Sequence, residues 1–320
     1  MTQSQSQDPL DYPKAAIGDQ RFSSYRFVIA AMLMLFNFGF GLSFFVVAPV
    51  TPLIIDDYGI NRSMASMLIG LVVMLQAGFA IPAGMLIGRV GLKKLITIAL
   101  LMGALPSLSF LAFSFPVLLA LRVVYGLGFA VIVPAIGPLQ MQWFRPKELP
   151  LINGMGLAVA SLGISLSTFI AAPLSEAIGW KAVLSLSGTV ALVGAVFWVV
   201  LGRVESPVQS IGSGLSIRGV WRILRDRSTL LMAMADAGPF AQYVALTTWL
   251  PSFYHEVYGM SLTKAGSIVG LLSLTGVFTV LVAGIVGMRV RRRRPFLIAP
   301  GIIVGFAGLG SFLLADSFGL

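Results

Sequence analysis

Two ionisable side chains lie inside long apolar stretches of this 320-residue chain and are its strongest candidates for chemistry. Arg122 stands in the stretch 116–139, and Asp236 stands in the stretch 229–251. If these stretches cross a membrane, each charge costs roughly 2.5–3.5 kcal/mol to insert, and charges kept there commonly mark ion or substrate pathways. We therefore expect Arg122 to bind an anionic substrate or to couple to a proton, with Asp236 as its counter-charge or as a proton carrier. The structural alternatives are a tie from Arg122 to backbone carbonyls and a cap or interhelical hydrogen bond for Asp236.

A second set of polar side chains lies near the middle of the apolar stretches. Three of them are amides and one is a phenol: Asn37, Gln76, Gln242 and Tyr125. Each is a candidate substrate contact. The structural alternative is interhelical hydrogen bonding, which contributes about 0.6 kcal/mol in a membrane, or simple packing for the phenol.

Enzyme chemistry finds little support in the residues. The sequence contains no His-Glu-x-x-His, no Gly-x-Ser-x-Gly and no phosphate-binding P-loop. It has no cysteine and a single histidine, His255, so Cys-based and His-based metal sites are not expected. We expect no catalytic residue, no cofactor and no metal, and any pumping would be driven by an ion gradient or by exchange.

The composition predicts a membrane protein, because 57% of the residues are hydrophobic and only 11% are charged. About a quarter of the residues in a soluble protein are charged. Nine predominantly apolar stretches are long enough to cross the ~30 Å hydrocarbon core as helices, and they lack the short alternation of a membrane β-barrel. We therefore predict an all-α membrane protein. The nine spans are 27–50, 63–87, 95–114, 116–139, 150–172, 181–202, 229–251, 262–288 and 295–315.

The basic residues indicate how the chain is oriented. With the N-terminus inside, eighteen of the 22 Lys and Arg residues fall in cytoplasmic segments and three fall outside, which is a strong positive-inside bias. We predict a multi-pass protein of the plasma or inner membrane with a cytoplasmic N-terminal tail, residues 1–26. The net charge of +10 follows this topology and does not cluster on one face, so we expect no nucleic-acid partner.

One long loop, residues 203–228, separates the sixth and seventh spans and predicts a border between two bundles. Its second part places Ile217, Val220, Trp221 and Leu224 at helical spacing, flanked by arginines. This pattern is typical of a helix on the inner membrane surface whose cations face anionic lipid. Membrane lipids are therefore an expected partner.

The chain repeats itself at an offset of 200 residues, and the two copies align without a gap across spans one to two and seven to eight. Because six spans separate the copies, both have the same orientation, and parallel repeats of this kind commonly hold a substrate site at the interface of two rocking halves. A duplication kept only for packing is the alternative. The matching pairs are Tyr58/Tyr258, Gly59/Gly259, Ala65/Ala265, Gly70/Gly270, Leu71/Leu271, Gly84/Gly284, Arg89/Arg289 and Val90/Val290.

Each matching block ends with glycines and a basic cluster in a recognisable order. The first copy has them at Gly84, Arg89, Gly91, Lys93 and Lys94, and the second copy repeats Gly284 and Arg289 before four further arginines. This order resembles the signature loop between helices two and three of the major facilitator superfamily. The family's acidic residue is replaced by Gly88 in the first copy and by Met288 in the second, so the charge relay attributed to that residue is not expected here.

Two other spans carry parts of the same resemblance. In the fourth span, Arg122 followed by Gly126 and Gly128 resembles the family's second motif. In the fifth span, Ala172-Pro173 stands in place of the Gly-Pro pair of the drug antiporters, which counts against that branch.

The resemblance implies a duplicated arrangement of two six-helix bundles, with helices one, two and seven lining a central cavity. On that basis we expect an N-terminal bundle at 27–202, the linker at 203–228 and a partial C-terminal bundle of three helices at 229–320. The second bundle would then be truncated after its third helix, either because the chain is a fragment or because a short form relies on a partner.

The resemblance also implies a secondary transporter of a small solute that works by alternating access, as a symporter or an antiporter with a proton or a counter-substrate. The charge of Arg122 favours a small organic or inorganic anion. Drug or metabolite efflux is the alternative within the family, and a non-transporting membrane sensor or assembly partner is the alternative outside it.

Overall fold

A computed structural model describes residues 24–204 and 217–289, together with residues 298, 301–303 and 306. Within these ranges every regular element is helical, which confirms the prediction of an all-α membrane protein. The elements are α1 (Arg26–Phe45), α2 (Val47–Tyr58), α3 (Arg62–Val90), α4 (Leu92–Gly103), a 3₁₀ segment (Leu105–Leu111), α5 (Phe115–Trp143), α6 (Leu149–Ile178), α7 (Trp180–Leu201), α8 (Ile217–Arg225), α9 (Arg227–Tyr258) and α10 (Leu262–Arg289).

Seven helical stretches in the described part of the chain are long and apolar enough to cross a membrane. They correspond to the first six predicted spans and to the eighth, so the chain is a multi-pass integral membrane protein. The seventh predicted span forms α9, which has 32 residues but is not among the seven. The ninth predicted span, 295–315, lies outside the described residues except at a few isolated positions.

The first span is one continuous apolar stretch in the sequence but is divided in the structure. α1 ends at Phe45, and α2 begins at Val47. Pro49 follows at the fourth position after Phe45, where it has no N–H to donate to the Phe45 carbonyl and its ring crowds that oxygen. The break therefore lies one helical turn before the proline, near the outer end of the predicted span 27–50.

The 200-residue repeat in the sequence has a matching repeat in the helix boundaries. α2 ends at Tyr58 and α9 at Tyr258, and each is followed by a left-handed glycine, with φ of +60° at Gly59 and +62° at Gly259. Glycine is favoured there because other residues are strained at positive φ. The charge bias predicts that this end of the bundle faces outside, and we call it the outer end.

The helices that follow these glycines begin in the same way. Asn61 caps α3 by accepting a hydrogen bond from the Met64 N–H over 2.8 Å, and the Ser261 hydroxyl accepts one from the Lys264 N–H over 3.3 Å at the start of α10. Side-chain caps of this kind satisfy N–H groups that the first turn of a helix leaves unpaired. The same local chemistry therefore sets both helix starts.

The second copy packs against the first mainly through α10 and α6. Small residues bring these two helices close together: a Cβ built on Gly266 would lie 2.6 Å from the Thr168 carbonyl oxygen. Nearby, the Ser165 hydroxyl donates a 2.8 Å hydrogen bond to the Gly270 carbonyl. α9 packs on α2 and on α10, and its buried residues lie between Thr247 and Ser252.

The linker contains the short helix that its pattern predicts, as α8. Trp221, Ile223 and Leu224 are exposed on it, and the Arg225 guanidinium lies 5.7 Å from the centre of the Trp221 ring. Asp226 then caps α9 by accepting a 3.0 Å hydrogen bond from the Thr229 N–H. The contact of α8 with lipid stays a prediction.

Candidate functional site

Arg122 lies in the outer half of α5 and is only 2% exposed. Its Nε donates to the Leu68 carbonyl on α3 over 3.0 Å, its Nη1 to the Ser43 carbonyl over 2.7 Å, and its Nη2 to the Phe44 carbonyl over 2.9 Å. The two acceptors on α1 belong to its last turn, where a helix leaves carbonyls without partners of its own. The guanidinium therefore joins α5 to α3 and caps α1 at the break in the first span.

Tyr125, one turn along α5 from Arg122, is completely buried beside it. Its ring centre lies 4.9 Å from the Arg122 guanidinium carbon, which is a cation–π distance, and its hydroxyl donates a 2.9 Å hydrogen bond to the Phe40 carbonyl on α1. The ring also stacks on Phe129, which contacts Phe40 and Phe44. Arg122 and Tyr125 thus hold α1 against α5 through its backbone.

The charge of Arg122 has no acidic partner in the described part of the chain. The ion pairs there are Arg26–Glu148, Arg62–Glu256 and Lys181–Asp57, all near the ends of helices. The predicted counter-charge, Asp236, lies on the exposed inner half of α9 and is not brought to Arg122. Arg122 therefore makes the contacts with backbone carbonyls that are the structural alternative to binding a substrate.

The three candidate amides are in different surroundings. Asn37 is half-buried, its Nδ2 donates a 2.8 Å hydrogen bond to the Leu33 carbonyl within α1, and a Cβ built on Gly156 of α6 would lie 3.2 Å from that nitrogen. Gln76 on α3 is half-buried and Gln242 on α9 is exposed, and neither makes a hydrogen bond among those seen in residues 24–204 and 217–289. No hydrogen bond joins the three amides to one another within the described residues.

The predicted signature loop is the tight connection between α3 and α4. Gly91 joins the two helices with φ of +86°, a backbone conformation that favours glycine, and Arg89, Lys93 and Lys94 around it are exposed. The role of this loop in gating stays a prediction.

The two repeated glycines of the signature lie in different contacts. A Cβ on Gly84 would be 4.0 Å from Pro134 on α5, whereas in the second copy Gly284 lies near Gly154 on α6. Arg289 is the last residue of α10, and its side chain is not part of the described structure.

Among the polar residues of α9, Thr247, Thr248 and Ser252 were not singled out from the sequence. The Tyr243 hydroxyl donates a 3.3 Å hydrogen bond to the Ser273 hydroxyl on α10, and the Tyr243 ring meets Phe45 of α1 edge-on at 5.8 Å. Further out, Thr247, Thr248 and Ser252 are buried, and none of their hydroxyls has a hydrogen-bond partner within the described part of the chain. The four-residue spacing of Thr248 and Ser252 on the least apolar of the long helices was the signal available.

Comparison with known proteins identifies the family. A sequence profile described as Major Facilitator Superfamily matches residues 33–320. A probable nitrate transporter of Staphylococcus carnosus is 26% identical over an alignment that covers 82% of this chain and 68% of the relative. A 4-hydroxybenzoate transporter of Pseudomonas aeruginosa is 26% identical over 96% of this chain and 75% of the relative.

The fold is similar to that of a solved transporter. The crystal structure of a bacterial homolog of the human lysosomal transporter Spinster, in an inward-facing and unoccupied conformation, superposes with a TM-score of 0.64 at 18% identity. The match covers 80% of this chain, which spans 61% of the length of that solved chain.

Proposed function

The chain belongs to the Major Facilitator Superfamily, and we propose that its protein transports a small organic or inorganic anion across a membrane by alternating access. The observation that carries the choice of an anion is the buried charge of Arg122, which has no carboxylate beside it in the described residues. An anion about 8 Å away would be attracted by about 2 kcal/mol at an effective dielectric constant of about 20. Arg122 would then favour anions through its field while its donors remain on backbone carbonyls.

The names of the relatives support the same choice. Besides nitrate and 4-hydroxybenzoate, the similar proteins include a probable sulfoacetate transporter of Cupriavidus necator, 23% identical over 93% of this chain and 74% of the relative. Each name describes an anion, two of them organic and one inorganic. None of these three names describes drug efflux, the alternative within the family.

Contacts across the two copies support alternating access. At the outer end Arg62 of α3 pairs with Glu256 of α9, and the Thr263 hydroxyl of α10 donates to Glu176 of α6. Further in, buried residues of α9 lie only between Thr247 and Ser252, and the inner half of the helix is exposed within the described chain. We infer a conformation closed at the outer end, which would open by separating α9 from α2 and α3.

The remaining candidates have proposed roles within this scheme. Asp236 is the candidate carrier for a coupled proton, because it is the acidic residue in the inner half of α9, the helix that would move. Asn37, Gln76 and Gln242 are candidate contacts for the anion, on helices α1, α3 and α9. The basic loop around Arg89 would face the cytoplasm with the N-terminus, and the bundle borders at 202 and 229 remain our proposal for the domains.

The binding of an anion can be tested on purified protein by ligand-induced stabilisation. A ligand that binds only the folded protein stabilises it by about 2.7 kcal/mol at 100 times its Kd. We expect 4-hydroxybenzoate or nitrate to raise the unfolding temperature, and the neutral isostere 4-hydroxybenzamide to leave it unchanged. Equal stabilisation by the acid and the amide would contradict the choice of an anion.

A further inference from the structure

Three buried hydroxyls in the outer half of α9, those of Thr247, Thr248 and Ser252, have no hydrogen-bond partner among the described residues, and two of them, Thr248 and Ser252, are four residues apart on one face of the helix. Thr248 is 8% exposed and Ser252 is 4% exposed. A buried Thr or Ser in a helix usually donates to a carbonyl of its own preceding turn, as the Thr51 hydroxyl does to the Val47 carbonyl over 2.9 Å. Leaving a hydroxyl unpaired is costly, so the two groups indicate a polar partner that the described residues do not supply.

The position of these hydroxyls points to where that partner arrives. Thr248, Ser252 and Glu256 follow one another at four-residue spacing, so they form one stripe along α9. Glu256 at the outer end of the stripe is paired with Arg62 of α3 across the two copies. By the rise of ~1.5 Å per residue, Ser252 lies ~9 Å and Thr248 ~15 Å below the last residue of α9. The stripe therefore leads from an exposed cation toward the middle of the membrane.

The Arg62–Glu256 ion pair is weak enough to separate. The Arg62 side chain is 68% exposed and that of Glu256 is 30% exposed, and exposed ion pairs contribute only about 0–1 kcal/mol to stability. When Glu256 leaves, Arg62 becomes free to hold an anion, and the α9 stripe becomes accessible to it. Hydroxyl groups donate well to oxyanions, and charge-assisted hydrogen bonds are stronger than neutral ones.

We propose that Arg62, Ser252 and Thr248 form an outer access path for a small oxyanion such as a carboxylate or nitrate, closed in this structure by Glu256. This inference rests on the proposed anion transport and adds the route by which the anion reaches the centre. In the closed state Glu256 is paired with Arg62, and the two hydroxyls are buried without hydrogen-bond partners among the described residues. In the open state the anion replaces Glu256 at Arg62 and then accepts hydrogen bonds from Ser252 and Thr248.

Because the chain contains no cysteine, a single introduced thiol reports access directly. We would place Ser252→Cys in the parent protein and in the Glu256→Gln variant, and label intact cells from outside with a membrane-impermeant maleimide. We expect labelling at least tenfold faster with Glu256→Gln, and protection by 4-hydroxybenzoate or nitrate but not by 4-hydroxybenzamide. Ser187→Cys is the matched control, because Ser187 is buried inside the first copy and should stay unlabelled in both backgrounds.

The role of the hydroxyls is tested separately by transport from the outside. Thr248→Val and Ser252→Ala should each raise the external KM for the anion about five- to tenfold, whereas Thr51→Val, whose hydroxyl is satisfied within α2, should not change it. Equal labelling rates of Ser252→Cys in the two backgrounds, or labelling that no transported anion slows, would overturn the access path while leaving anion transport intact. If the parent protein transports neither probe nor any other anion, the proposed function fails and the access path fails with it.

Discussion

The Nη1 of Arg122 on α5 donates a 2.7 Å hydrogen bond to the carbonyl of Ser43 in the last turn of α1. A buried cation is thereby used to hold the backbone of one helix at the point where the first span breaks. The same side chain reaches α3 through the Leu68 carbonyl. Arg122 consequently combines two roles in our account, since it stabilises three helices and its charge favours an anion nearby.

Replacing Arg122 by Lys separates these two roles. The lysine keeps the charge but lacks the planar fork that serves three carbonyls at once, so we expect a loss of about 2–4 kcal/mol in the free energy of unfolding. Anion stabilisation should persist in Arg122→Lys and disappear in Arg122→Gln. Unfolding of both variants in detergent, with and without 4-hydroxybenzoate, measures their stability and the stabilisation that the anion adds.

Arg89→Lys is the control for that substitution, because Arg89 is exposed. Its unfolding should match that of the parent. An Arg122→Lys variant as stable as Arg89→Lys would show that the carbonyl contacts of Arg122 contribute little.

Much of the architecture could be predicted from local patterns in the chain. Span length and apolar content predicted the helices, and the pairs Tyr58-Gly59 and Tyr258-Gly259 marked both helix ends, because a left-handed glycine cap is a local property of the sequence. The function of the buried Arg122 was harder to predict. Its acceptors lie 54 to 79 residues away along the chain and are backbone groups, which carry no residue-specific signal.

The buried Thr and Ser residues of α9 were missed for a related reason. Thr248 and Ser252 have side chains that in most helices bond to their own backbone, so the sequence offers no sign that these two lack partners. The pairing of Asp236 with Arg122 was expected from charge alone, yet the two residues lie on helices whose relative placement depends on the packing of α9 against α2 and α10.

Substitution of Gly91 tests the backbone geometry of the connection between α3 and α4. Its φ of +86° is strained for a residue with a side chain, so Gly91→Ala should destabilise the protein by about 1–2 kcal/mol. Gly88→Ala is the matched control, because Gly88 lies inside α3 and alanine there should stabilise the helix by up to about 1 kcal/mol. Thermal unfolding of the two variants should shift in opposite directions, and a shift in the same direction would contradict the assigned backbone geometry.

The contact between α6 and α10 is tested at Gly266. An added Cβ would lie 2.6 Å from the Thr168 carbonyl oxygen, so Gly266→Ala should push the two helices apart at a cost of about 1–3 kcal/mol and reduce anion uptake. At Gly276 the nearest atom to an added Cβ is the Ser161 hydroxyl oxygen at 3.5 Å, which is an ordinary contact. Gly276→Ala should therefore retain parental uptake, and equal behaviour of the two variants would argue against close packing at this interface.

The Arg62–Glu256 pair predicts a charge-reversal result. Arg62→Glu and Glu256→Arg each place like charges at the outer end, so each single variant should favour the open outer end, seen as faster outside labelling of Ser252→Cys. The double variant restores opposite charges and should return labelling toward the parental rate. Failure of the double variant to slow labelling would mean that this pair does not hold the outer end closed.

The central claim is anion transport, and net uptake into proteoliposomes tests it most directly. With the purified protein reconstituted and a gradient imposed, we expect labelled 4-hydroxybenzoate or nitrate to accumulate in the vesicles, with accumulation reversing when the gradient is reversed. Unlabelled anion should compete and 4-hydroxybenzamide should not. Binding of the anion without net flux in either direction, or uptake of the amide as fast as that of the acid, would contradict the account.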